Sequence, residues 1–110
     1  MKINKEEFYI TFTPKPSTKF NAFLELFLID AKKNDSKNII LNLLYYKISI
    51  NELLQLVDFS INKMELGTSF VVIKTEIDLD IIPDELIIVP TLQEAIDIID
   101  MDEMTRSLDF

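Results

Sequence analysis

Residues 38–44 read NIILNLL, and this run decides the fold. It is too short for an ordinary helix, it opens with β-branched residues, and its apolar positions are consecutive rather than alternating. A strand with both faces covered has this pattern. SFVVIK at 69–74 and ELIIVP at 85–90 repeat it. Between the first two runs, INELLQLVDFSINKMEL at 50–66 places Ile50, Leu53, Leu54, Val57, Ile61 and Met64 at helical spacing. Gly67, the one glycine of the chain, follows Leu66 where a left-handed residue closes a helix. Buried strands separated by helices pair in parallel through right-handed crossovers.

The same logic extends outward. FYITFT at 8–13 alternates Phe8, Ile10 and Phe12 with polar partners, the period of a half-buried strand near an edge of the sheet. PKPS ends it and leaves Ser17 or Thr18 as the cap of a helix. That helix runs from Phe20 with Phe23, Leu24, Phe27, Leu28 and Ala31 on one face, and KKNDSKN closes it. After Pro90, Thr91 caps a last helix whose inner face is Leu92, Ala95, Ile96 and Ile99. The reading is a single α/β domain over residues 1–110, a mostly parallel sheet of about four strands with three main helices. No linker, repeat or low-complexity segment interrupts it.

Composition excludes several functions. The 110 residues contain no histidine and no cysteine, which removes the commonest general base, the thiolate nucleophile and the usual transition-metal ligands. One glycine cannot build a phosphate-cradling loop. Net charge is −8, against the basic surface that nucleic-acid binding needs. The charge is uneven: residues 1–74 carry ten lysines and eight acids, whereas 75–110 carry eleven acids and Arg106. An acidic tail of this kind either keeps the protein in solution or steers it toward a basic partner. No apolar run approaches the ~20 residues of a membrane span, and MKINKEEFYITF does not read as a signal peptide. A cytoplasmic location is expected, with no membrane, nucleic acid or cofactor.

Four features carry candidate sites. Tyr45, Tyr46 and Lys47 follow the central strand, at the carboxyl edge where α/β sheets present ligand sites. Ser49 and Glu52 fit the S-x-x-E capping box that opens a helix. IDLDIIPDEL gathers Asp78, Asp80, Asp84 and Glu85, either a solvated loop or a weak divalent-metal site. Asp97, Asp100, Asp102 and Glu103 read as the solvated face of the last helix. The helices also carry more apolar surface than one face requires: Leu26 and Ile29 lie opposite the first stripe, Leu56 and Phe59 opposite the second, and Ile98 away from the third. Beyond Ile99 the apolar stripe moves to Met101, Met104 and Leu108, a candidate homodimer contact.

The order of elements, together with NIILNL, the helix that follows it, GTSFVV and IVPTLQEAIDIIDMDEMTRSLDF, resembles the STAS domain of bacterial anti-sigma factor antagonists and sulfate-transporter tails. About two thirds of the chain takes part in the resemblance, and the last segment is most similar to a group of short bacterial STAS-like proteins. The resemblance implies a non-catalytic, regulatory protein-interaction module. In the antagonists, a serine or threonine in an Asp-Ser-Ser-Gly type turn opens the second helix and is phosphorylated. The matching stretch here is Ser49-Ile50-Asn51-Glu52; neither Ile50 nor Asn51 accepts a phosphate, and Ser49 falls where the family has its aspartate. The partner surface implied comprises Tyr45, Tyr46, Lys47, Ser49, Asn51, Leu56 and Phe59. Relatives of the tail are sometimes labelled ribonuclease Z, but a zinc nuclease of that fold needs several histidines and a longer chain.

Overall fold

In the computed structural model, which describes residues 1–108, five strands form one sheet in the order β1-β2-β3-β4-β5. They are β1 (Lys2–Lys5), β2 (Tyr9–Thr13), β3 (Asn38–Asn42), β4 (Phe70–Ile73) and β5 (Ile87–Val89). β2 to β5 pair in parallel with Ile10 beside Ile39, Leu41 beside Val72, and Val72 beside Ile88. β1 is an antiparallel edge strand, registered with Ile3 beside Phe12. The α/β reading is therefore met with five strands rather than four. β1 escaped it because KINK offers one apolar residue in four and every position is exposed. β2 is thus second from the edge, with β1 along its outer side.

The alternation of side chains across β3 explains why its apolar run is continuous. Ile39 and Leu41 join Ile10, Phe12, Phe70, Val72 and Ile88 in the larger core, while Ile40 points to the other face with Val71 and Ile73. The larger core is covered by α1 (Phe20–Lys32), α2 (Ile50–Leu54) and α3 (Val57–Glu65); the opposite face is covered by α4 (Leu92–Leu108), through Ala95 and Ile99. Phe12, Phe23 and Phe27 are fully buried. Each such ring contributes about 1.5–3 kcal/mol by leaving water. Phe27 meets Phe12 edge-on at 5.1 Å, and Phe59 meets Phe70 edge-on at 4.8 Å, the arrangement that ring quadrupoles favour.

The helix ends follow local chemistry, with one exception. Ser49 and Glu52 form the full capping box. Thr91 Oγ1 accepts the Glu94 N–H at 3.1 Å. Gly67 has φ of 76°, and the N–H groups of Gly67 and Thr68 bond the carbonyls of Met64 and Lys63. That closes α3 with a glycine in the left-handed region. The exception is α1: its cap is Lys19 rather than Ser17 or Thr18, and no side chain bonds its first N–H groups.

The helical segment after Ser49 is not one helix. It breaks at Gln55–Leu56, and the turn rotates the remainder. Leu53, Leu56, Ser60 and Lys63 face the core, whereas Leu54 and Met64 are exposed. Two polar residues occupy inward positions because the backbone supplies partners. Ser60 Oγ donates to the Glu85 carbonyl at 2.5 Å, and Lys63 Nζ donates to the carbonyls of Asp35 at 3.0 Å and Lys37 at 2.6 Å. Burial pushes the Lys63 ammonium below its ordinary pKa, partly opposed by the Asp35 carboxylate.

Candidate functional site at the carboxyl edge of the sheet

The chain leaves β3 at Asn42 and enters α2 at Ile50, and the seven residues between are held at both ends. Leu43 N–H bonds the Ile73 carbonyl, Leu44 N–H bonds Asn42 Oδ1, and Tyr46 N–H turns back to the Leu43 carbonyl. Tyr46 projects inward: it is 3% exposed, its ring lies 5.9 Å from that of Phe23, and its hydroxyl donates to the Thr18 carbonyl at 2.6 Å. Lys74 Nζ fixes the Tyr46 carbonyl from the end of β4. With Tyr46 anchored below, Tyr45 is turned outward and 84% exposed. Lys47, Ser49 and Asn51 are exposed beside it along the entry to α2.

An open cleft of about 420 Å³ lies between this segment and the start of α1, lined by Lys19, Asn21, Tyr46, Lys47 and Glu52 among others. Two of its polar side chains, Glu52 and Tyr46, are engaged. Glu52 holds the Ser49 N–H at 2.9 Å. The Tyr46 hydroxyl is committed to Thr18, and burial, with the Glu52 carboxylate as the smaller cause, raises its pKa above the ordinary tyrosine value. The phenol stays protonated near neutral pH and is no base there.

Seven residues were expected on this surface, and the structure divides them. Tyr45, Lys47, Ser49 and Asn51 lie on it. Tyr46 and Leu56 are buried, and Phe59 is half-buried against Phe27 and Phe70. Leu56 moves inward because the break at Gln55–Leu56 alters the helical phase. Leu26 and Ile29 are exposed on α1 as expected. The acidic loop is exposed at Asp78, Asp80 and Asp84; Asp78 caps the short 3-10 turn Leu79–Ile81 by accepting the Asp80 N–H. Among the described residues no three acids gather into a group able to hold a metal ion.

A second polar cluster, at the opposite edge of the sheet, was not anticipated. Asn38 and Ser69, both nearly buried, begin β3 and precede β4. Asn38 Oδ1 accepts the Ser69 N–H at 2.9 Å, and Asn38 Nδ2 donates to Glu103 Oε1 at 2.8 Å. Ser69 Oγ donates to Asp102 Oδ2 at 2.6 Å and accepts from Arg106 Nη2 at 2.9 Å. Asp102 and Glu103 are therefore not a simple solvated face; they dock the second half of α4. Ala95, Ile99, Asp102 and Arg106 recur at i, i+4, i+7 and i+11, so the sheet-facing row of α4 simply turns polar. That row was the available sequence signal, and it explains why the apolar stripe leaves the inner face after Ile99.

No family model matches the chain, and no curated protein matches it in sequence. Among the described residues no helix is long and apolar enough to cross a membrane.

Proposed function

We propose that this chain is a non-catalytic, STAS-like protein-interaction domain whose binding face is the carboxyl edge around Tyr45, Lys47, Ser49 and Asn51. One observation carries the reading: a tyrosine almost fully exposed on a segment pinned by backbone, side-chain and capping hydrogen bonds. Tyrosine presents a large amphipathic surface with few torsions to freeze, and a pre-organised segment loses little entropy on binding. Lys47 adds charge beside it. The order of strands and helices supports the STAS-like kinship on which the interaction role rests. In that kinship the domain acts as a regulator of the anti-sigma factor antagonist kind without the usual phosphorylatable serine. Ser49 serves as the cap that builds the surface. Enzymatic action is disfavoured by the lack of histidine and cysteine and by the engaged Tyr46 hydroxyl.

Affinity capture from native lysate with the wild-type chain, the Tyr45→Ser variant and the Lys47→Glu variant tests this. The wild type is expected to recover a protein that both variants lose. Recovery of no protein, or of the same protein equally by all three, would contradict the proposal.

A further inference from the structure

The outward side of α4 carries a second, chemically different surface. Met101, Met104 and Leu108 are exposed by 64%, 65% and 77%, at i, i+3 and i+7 on the side away from Ala95 and Ile99. Beside this stripe, Phe8 in the turn between β1 and β2 is itself exposed and forms a cleft of about 380 Å³ with Met104, Asp100 and Glu103. The apolar groups are therefore continuous from the hairpin turn onto the helix. Their rim is acidic. α4 holds Glu94, Asp97, Asp100, Asp102 and Glu103 against one cation, Arg106, and that cation is engaged by Glu103 and Ser69. Asp100 has no ion-pair partner among the described residues. The hairpin turn adds Glu6 and Glu7, with Lys5 before them.

From this placement we infer that the Phe8–Met104 cleft and the Met101/Leu108 stripe dock a basic amphipathic helix of a protein partner. Apolar side chains on one face of that helix would enter the cleft, and its flanking lysines or arginines would meet Asp97 and Asp100. Methionine suits this role because its unbranched, polarisable side chain repacks around different apolar shapes. In the helix-in-groove mode the docking helix offers apolar anchors at i, i+3, i+4 and i+7. Charge selects the occupant. A second copy of this chain would set this acidic rim against an equally acidic one, whereas a cationic helix neutralises it. This surface lies by the amino ends of the strands, away from Tyr45, so it is independent of the carboxyl-edge reading.

The test uses two synthetic 18-residue helical peptides with leucine at the same i, i+3, i+4, i+7 positions, one with lysine and the other with glutamate elsewhere. The lysine peptide is expected to bind and to shift the resonances of Phe8, Met101 and Met104, while the glutamate peptide does not bind. Binding should weaken at least tenfold in a Phe8→Ser, Met104→Ser double variant. It should also weaken more in Asp97→Lys, Asp100→Lys than in Asp78→Lys, Asp80→Lys, which changes net charge equally at a distant loop. Circular dichroism of each variant checks that it folds. Three results would overturn the inference: no binding of the lysine peptide, equal loss from the two charge reversals, or a dimer of this chain in sedimentation equilibrium that the Phe8→Ser, Met104→Ser double variant abolishes.

Discussion

Replacing Asp102 by alanine should loosen the second half of α4, and the structure sets the size of the effect. Asp102 Oδ2 is the acceptor for Ser69 Oγ at 2.6 Å, and Ser69 is only 4% exposed. Alanine leaves that hydroxyl as a buried donor without a partner, which costs about 1–3 kcal/mol. Arg106 keeps its bonds to Ser69 Oγ and Glu103, so the cluster is weakened rather than abolished. A loss of about 2 kcal/mol lowers the Tm of a domain this size by roughly 8 °C. Thermal unfolding measures the total. Hydrogen exchange locates it: amides from 102 to 108 should exchange faster, while those around Ala95 and Ile99, held by apolar contacts, change less. The companion variant Ser69→Ala removes the donor as well, so the double variant should cost clearly less than the sum of the two single changes. Additive losses, or an Asp102→Ala protein within about 0.3 kcal/mol of wild type, would refute the assignment of this cluster as the anchor of α4.

Three further outcomes follow from single features. Ser49→Ala should cost about 1 kcal/mol, and Ser49→Asp, which can still cap, should cost little; equal losses in urea unfolding would contradict the capping role. Gly67→Ala should cost about 1–2 kcal/mol from the left-handed backbone alone, because an added Cβ meets nothing within 4 Å; Gly67→Asn should recover part of it, and a neutral alanine would be inconsistent with φ of 76°. Lys63 has a folded pKa below its unfolded value, so the unfolded chain holds more protons between the two. Stability contributed at this site therefore rises with pH through that window, up to the ordinary lysine pKa of about 10.4, by at most about 1.4 kcal/mol per unit. Tyr46, whose pKa is raised, works in the opposite direction above about pH 10. Chemical unfolding of wild type and Lys63→Met from neutral pH toward 10 should show the rise only in the wild type; parallel curves would contradict it.

The fold was legible where apolar pattern and backbone chemistry agreed. The continuous runs around Ile40 and Val71 identify strands because few other elements bury consecutive residues on two faces; the run around Ile88 is also a strand, but at the sheet edge, with Ile87 exposed. Gly67, the Ser49–Glu52 box and Thr91 mark helix ends because each supplies a defined backbone conformation or bond. The readings that failed are those where polar groups are buried. Ser60 and Lys63 sit inward on backbone carbonyls contributed by distant residues, so the stripe on α3 cannot be phased from apolar spacing. Apolar spacing consequently puts Leu56 outside and Met64 inside, the reverse of the structure. The β1 strand has almost no apolar signal and exists by pairing with β2. At the candidate site, Tyr45 and Tyr46 are identical in sequence terms, and what separates them is the turn that bonds Tyr46 N–H to Leu43. The cluster of Asn38, Ser69, Asp102, Glu103 and Arg106 spans up to 68 positions along the chain, and its members acquire a common role through the topology.

The carboxyl edge at Tyr45 is proposed as a protein-binding face. The most direct measurement places a photo-reactive phenylalanine analogue at position 45 and, as a control, at exposed position 78, then crosslinks in living cells. A discrete crosslinked protein is expected from position 45 and not from position 78. An adduct pattern identical at both positions, or no adduct from position 45, would contradict it.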